Sequence, residues 1–216
     1  MTEQLSKLQD KKEIVKEIIK AAKAYKLHLV GKTFLYVFDN RYIEVIYKTA
    51  NFRHLTGVDT KLSAKAFYKL AVSNKLQAGQ IYFSANHPYQ LCRKKVKHLN
   101  EISALAGTES FMLEEITTNT KTYKFGTTDL NFTLCFNQEL DNTGNIKGEC
   151  YVAESLRDED CFKKSKNVYE VTHIFVKQND EKIYRTILYN SVNANIEQLP
   201  INVKVLLEEK VEFHKR

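Results

Sequence analysis

The sequence predicts an α+β protein: N-terminal helices with a β-hairpin, then a mostly antiparallel β-sheet. Three observations carry this. Helical periodicity is concentrated in the first half of the chain. Aromatic and β-branched runs dominate the second half. Turn-forming stretches, Asp39-Asn40 and Asp141-Asn142-Thr143-Gly144, separate strand-like runs.

Residues 5–26 read as a helix, with Leu8, Val15, Ile18, Ile19, Ala22 and Tyr25 at helical spacing. Ser6 and Gln9 fit a capping box at its start. Lys11, Lys12, Lys16, Lys20 and Lys23 line the other side, as a solvated face would. Residues 33–38 and 42–47 form the expected hairpin. Glu44 in its second strand is either solvent-facing or a carboxylate in a cleft. Residues 63–74 form a helix that buries Ala66, Phe67, Leu70 and Ala71. Residues 80–84 suggest a strand. Asn86 is expected to cap a long helix reaching residue 106, with Pro88 in its first turn. Strands follow at 111–117, 122–126, 131–137, 148–155 and 168–177, with a loop or helical turn over 156–167. Residues 182–189 fit strand or helix alike. Residues 196–210 read first as a strand at 202–207, with a short helix as the alternative.

The bulk numbers bound the function. The 216 residues, 43 % hydrophobic and 27 % charged, describe an ordinary globular chain of one large domain or two small ones. No run reaches the ~18 apolar residues of a membrane span. The N-terminus lacks the pattern of a secretion signal. Cys92, Cys135, Cys150 and Cys161 show no C-x-x-C spacing and read as free thiols in a reducing, cytoplasmic compartment. Residues 1–110 carry 19 Lys and Arg against 9 Asp and Glu, whereas residues 111–216 carry 14 against 17. A positive field in one half favours an anionic partner: nucleic acid, a nucleotide or an acidic protein. Lysine outnumbers arginine, which argues against specific base recognition.

Several chemistries are absent. No phosphate-binding G-x-x-x-x-G-K-[ST] loop, dinucleotide G-x-G-x-x-G, H-E-x-x-H or G-x-S-x-G occurs. The six histidines, at 28, 54, 87, 98, 173 and 214, never stand at i, i+4, and no local pattern implies a metal or cofactor.

What remains suits metal-independent RNA cleavage, which needs a base, an acid and cations for the phosphorane charge. The densest polar cluster is R-H-L-T-G, between the hairpin and the helix at 63–74. His54 is a proton carrier, Arg53 a cation and Thr56 a hydroxyl, while Gly57 permits a turn or a close phosphate approach. A lone histidine after a strand is more often structural, so His54 alone does not decide the matter. Arg157 at a strand end is a secondary candidate for a catalytic cation. His173, on a strand, is a weaker candidate acid. Lys32 and Tyr47 are candidates for nucleic-acid contact. Arg93, Lys94 and Lys97 in the RKKVK stretch form either a phosphate-contacting face or a solvated one.

Three blocks carry a family resemblance: YIEVIYKTANFRHLTGVDTKLSAKAFYKLA, then QIYFS-x-x-HPY-x-LC-x-KKVKHL, then ESFMLEEITT-x-TKTYKFGTTDLNFTLCFN. Over residues 27–189 the chain resembles the phage- and mobile-element-associated BECR (barnase–EndoU–colicin–RelE-like) nuclease domains, and their fourth phage subgroup in particular. The resemblance implies helices followed by an antiparallel sheet, RNase chemistry without a metal, and a role in conflict between phages or mobile elements and their hosts. His54 and Thr56 match the histidine-bearing motif; Arg157 matches only by its place on a late strand. The expected organisation is an N-terminal helix (1–26), a BECR-like domain (27–190) and a C-terminal extension (191–216) packed on it. The expected activity is an endoribonuclease, with RNA favoured over DNA as partner and a host or phage protein as a further one. The alternative is a non-catalytic phage or mobile-element protein that binds nucleic acid, or blocks a host defence complex, through its basic face.

Overall fold

The hairpin sets the frame. Asp39 and Asn40 both adopt left-handed backbone, with φ of 46° and 55°. Two such residues make the tight turn whose twist matches paired strands. Strands β1 (Lys32–Phe38) and β2 (Arg41–Ile46) pair antiparallel on either side, Phe38 opposite Arg41. The computed structural model describes residues 3–213, with side chains from Lys7 onward.

Helix α1 (Glu3–His28) precedes the hairpin and buries Ile14, Val15, Ile18, Ala21, Ala22 and Tyr25. It begins before Ser6, so Ser6 is inside the helix and does not cap it; its side chain lies outside the described residues. Leu8 faces solvent. After β2 come three short helices: α2 (Phe52–Thr56), α3 (Ala64–Val72) and α4 (Tyr89–Leu99). The expected strand at 80–84 is absent: a 3-10 turn (Ala78–Gln80) leads into a single bridge between Asp59 and Tyr82. The long helix expected from Asn86 starts only after Pro88, whose extended backbone (ψ 155°) excludes it from the helix. It also breaks at Asn100, whose amide N–H bonds back to the Lys97 carbonyl, and a separate turn, α5 (Ile102–Leu105), follows.

Eight more strands complete one ten-stranded sheet: β3 (Phe111–Thr117), β4 (Thr122–Thr128), β5 (Thr133–Leu140), β6 (Ile146–Arg157), β7 (Asn167–Glu170), β8 (His173–Gln178), β9 (Tyr184–Asn190) and β10 (Leu207–Phe213). Their order is β10-β9-β8-β1-β2-β6-β5-β4-β3-β7. The single strand expected at 168–177 is therefore two. Val171 and Thr172 divide it, and its halves pair with β3 and β1, far apart in the strand order. Two residues cannot span a flat sheet of that width. The eight strands from β8 to β7 must curl until their edges meet. Side chains close the seam: Phe38 of β1 lies 5.8 Å from Phe125 of β4 and 5.7 Å from Tyr169 of β7. Arg41 grips Glu114 of β3 through Nη1 and Nη2, at 3.2 and 2.9 Å, and its guanidinium lies over Phe38 and Tyr169.

Alternation along β1 divides the core. Phe34, Tyr36 and Phe38 face the helices, while Leu35 and Val37 face Phe175, Tyr184, Leu199 and Val203. The C-terminal residues do not follow either reading exactly: a helical turn, α6 (Ile201–Lys204), precedes β10, which pairs parallel to β9. Glu44 lies in neither a cleft nor open solvent. It accepts from the Tyr184 hydroxyl, with Lys177 Nζ at 3.5 Å.

Candidate functional site

R-H-L-T is helical, not a loop. Phe52, Leu55 and Thr56 are buried, whereas His54 points outward. Gly57 ends this turn at φ 73°, its N–H bonded to the His54 carbonyl at 3.3 Å. A Cβ on Gly57 would come within 2.8 Å of Lys95 Cδ. Gly57 therefore both makes the turn and leaves room for the Lys95 stem. The Cys92 thiol donates to the Gly57 carbonyl at 3.1 Å and ties α4 to α2. Gly57→Ala should cost about 1–3 kcal/mol through its backbone alone and displace Lys95; urea unfolding and activity measured together would check both.

β6 runs parallel to β2, so its C-terminal end arrives beside α2. Glu154, Ser155 and Arg157 thereby join Asn51 and His54. α4 adds Leu91 and Lys95, the loop before it adds Asn86 and His87, the β3–β4 connection adds Thr120 and Lys121, and β4 adds Tyr123. Together they line an open cleft of about 750 Å³.

The electrostatics are uneven. Burial, and then the neighbouring Arg53 charge, lower the pKa of His54, with Glu154 opposing and His87 and Lys95 adding to the fall. Arg53 Nη2 lies 3.5 Å from His54 Nε2. A guanidinium can only donate, so Nε2 carries no proton and is the acceptor. His87 is held differently: its Nδ1 lies 2.8 Å from Asp59 Oδ1. Burial raises the Asp59 pKa, but hydrogen bonds from Ser84 and His87 outweigh it and keep the carboxyl below its ordinary range. An ionised Asp59 accepts from His87 Nδ1–H, which fixes the ring's orientation and leaves Nε2 facing away from the carboxylate. Lys95 is depressed by burial and then by Arg157. Among the described residues, no carboxylate lies within 4 Å of either Lys95 or Arg157. Arg157 Nη2 donates to Thr118 Oγ1 at 3.2 Å, and its Nε is buried without a partner. The Glu154 carboxylate is already occupied by Lys121 Nζ at 2.5 Å. Two adjacent cations are thus left without a counter-ion beside two histidines.

The cleft gathers His54 and Arg157 from the sequence candidates, with Arg53 behind His54; Arg53 Nη1 donates to the Leu62 carbonyl at 3.2 Å. Thr56 is corrected. It is fully buried, donates to the Arg53 carbonyl at 2.7 Å and accepts from Val58 N–H, so its hydroxyl closes the turn and cannot reach a substrate. Tyr47 is also corrected: it is 4 % exposed, packed edge-on against Tyr25 and Phe34, and offers no face to a base. Lys32 lines a separate hollow with His28 and Phe34. Arg93 and Lys97 face a groove between α1 and α4, and Lys94 pairs with Asp158 at 2.6 Å. His173 sits elsewhere in the fold, and His98 is buried between Glu101 and Asp158. His214 lies outside the described residues.

His87 and Lys95 were missed. Helical spacing held a signal for Lys95: it shares a face with Leu91, while Arg93 shares one with Lys97 and Lys94 one with His98. Treating RKKVK as one patch hid three faces. His87 carried no local signal, because its partner Asp59 is 28 residues away.

Among the described residues, no group of three or more His, Cys, Asp or Glu side chains is placed to hold a metal ion, and no helix is long and apolar enough to cross a membrane. No curated protein and no solved structure was found to match the chain. A family's sequence model does match, over residues 17–193. With its N-terminal helices, hairpin and large, mostly antiparallel sheet, the chain belongs to that family, the phage-Barnase-EndoU-ColicinE5/D-RelE like nuclease4 family.

Proposed function

We propose that the protein is a metal-independent endoribonuclease that cleaves RNA by attack of a 2′-hydroxyl on the adjacent phosphate. The observation that carries this reading is the pair Lys95 and Arg157, two neighbouring cations without a counter-ion beside His54 and His87. Desolvated charge is costly unless a partner arrives, and a phosphate is such a partner.

Once the 2′-hydroxyl displaces the long 3.5 Å Arg53 contact from the lone pair of His54 Nε2, that nitrogen takes the 2′-hydroxyl proton while the 2′-oxygen bonds to phosphorus. The P–O5′ bond breaks, and His87, oriented by Asp59 through Nδ1, donates a proton from Nε2 to the leaving oxygen. Lys95 and Arg157 meet the negative charge that grows on the phosphorane oxygens. The products are a 2′,3′-cyclic phosphate and a 5′-hydroxyl end. The free thiols of all four cysteines fit a reducing, cytoplasmic setting.

The deciding experiment uses RNA oligonucleotides in EDTA, with one 2′-deoxy substitution stepped along the strand. Each substitution should abolish cleavage at its own 3′ side and leave other sites intact. Cleavage that ignores the substitution removes 2′-hydroxyl attack. Binding without any product favours the purely gripping alternative.

A further inference from the structure

A second pocket, of about 240 Å³, opens at the other end of the sheet, beside the Asp39-Asn40 turn. β2 runs from that turn towards the cleft, so the strand separates the two sites. Buried Val37, His173, Ser191 and Leu199 form the floor of the pocket, and exposed polar side chains, including Glu170 and Gln198, form its rim.

His173 is 2 % exposed, and its ring stacks on Phe175 at 5.8 Å. Burial pushes its pKa down to about 4, so the ring is neutral at physiological pH. Its tautomer follows from its neighbour. The Thr172 hydroxyl has one hydrogen, and this goes to the Val37 carbonyl at 3.2 Å. The 3.1 Å contact between His173 Nδ1 and Thr172 Oγ1 is therefore donated by the ring. His173 Nε2 is left as a bare, buried acceptor with no partner.

The cross-strand neighbour of His173 is Asn190. Its Nδ2 donates to the Ala194 carbonyl at 3.2 Å, which fixes the amide orientation. Asn190 Oδ1 is a second buried acceptor without a partner. Among the described residues that line the pocket, Glu170 is the one acidic side chain, with one oxygen accepting from Ser191 Oγ at 2.9 Å. Asn190 does not itself line the pocket, so the pocket offers the bare His173 Nε2 and the Glu170 carboxylate, and its lining includes no lysine or arginine. Unsatisfied buried acceptors are costly, and a donor that fills them recovers that cost.

We propose that this pocket binds an N–H-donating cation, a guanidinium or primary ammonium group, with His173 Nε2 as the acceptor on its floor and Glu170 as the counter-charge. The proposal does not depend on the nuclease reading. The group arrives either as a free small cation or as a basic side chain of another protein.

The test follows the ring nitrogens of His173 by nitrogen-15 NMR on the full chain. Free protein should show Nδ1 protonated and Nε2 bare. Methylguanidinium should shift Nε2 saturably, and tetramethylammonium, which lacks N–H, should not. Glu170→Gln should weaken the response about tenfold, the size of one charge-assisted hydrogen bond. His173→Phe should abolish binding measured by calorimetry; should that variant not fold, the wild-type and Glu170→Gln titrations decide alone. Saturation by methylguanidinium supports a free cation as ligand. Saturation only by an arginine-containing peptide supports a side chain. A protonated Nε2 in the free protein, equal responses to both cations, or no saturable shift with either cation or peptide overturns the proposal.

Discussion

Replacing His54 by alanine should lower RNA cleavage in EDTA by about 10²–10⁴-fold, the usual contribution of a positioned proton carrier. The fold should survive the change, because the side chain points outward from α2 while Phe52, Leu55 and Thr56 hold that helix in the core. Unfolding midpoints of the two proteins should therefore agree. The pH profile adds an independent check. Burial and Arg53 lower the pKa of His54 below its ordinary 6.5, so the base stays unprotonated further into acid. The acid limb of kcat/KM should fall below pH 6.5, and the residual activity of His54→Ala should lack it. Retained cleavage in the variant, or an acid limb above 6.5 in the parent, takes His54 out of the mechanism.

Lys95→Met separates function from stability more sharply. Methionine keeps much of the aliphatic stem that lies over Gly57 but removes the charge. Cleavage should fall by about 10²–10³-fold, as when one preorganised donor to a developing oxyanion is removed. Stability should hold or rise, since a desolvated charge without a carboxylate partner costs the folded state free energy. RNA binding should lose about one unit of its salt slope. Arg93→Glu and Lys97→Glu serve as controls. Both residues face the α1–α4 groove, so cleavage should change far less than in Lys95→Met. A Lys95→Met protein that is fully active, or one that merely unfolds, refutes the role.

These predictions rest on features unequally legible in the sequence. The hairpin was readable because Asp39-Asn40 is a local turn signal between two β-branched and aromatic runs. Four of the later strands fell near their observed places for the same reason. Val171-Thr172 was not readable. Hydrophobic alternation runs on through the break, and what divides it is pairing with β1 on one side and β3 on the other. Tertiary context also stopped the helix at Asn100 and turned Thr56 inward. At the site, His54 and Arg157 could be named from residue type and position. Their meeting depends on the parallel β2–β6 pairing, a contact across about a hundred residues that no local pattern encodes. His87 needed the same kind of knowledge, because only the fold brings Asp59 to it.

The parallel pairing of β2 with β6 has a consequence for synthesis. A chain leaves the ribosome N-terminus first, and R-H-L-T emerges long before Arg157. The His54 turn, α3 and α4 can all form while the strand that completes the cleft is still being made. The seam closes later still, when β8 pairs with β1 across a separation such as Lys32 to Gln178. Long-range pairings of this kind are the slow part of folding. A half-made chain therefore holds its histidines without the Arg157 cation, and the cleft stays incomplete until well over half of the chain is free of the ribosome's own RNA.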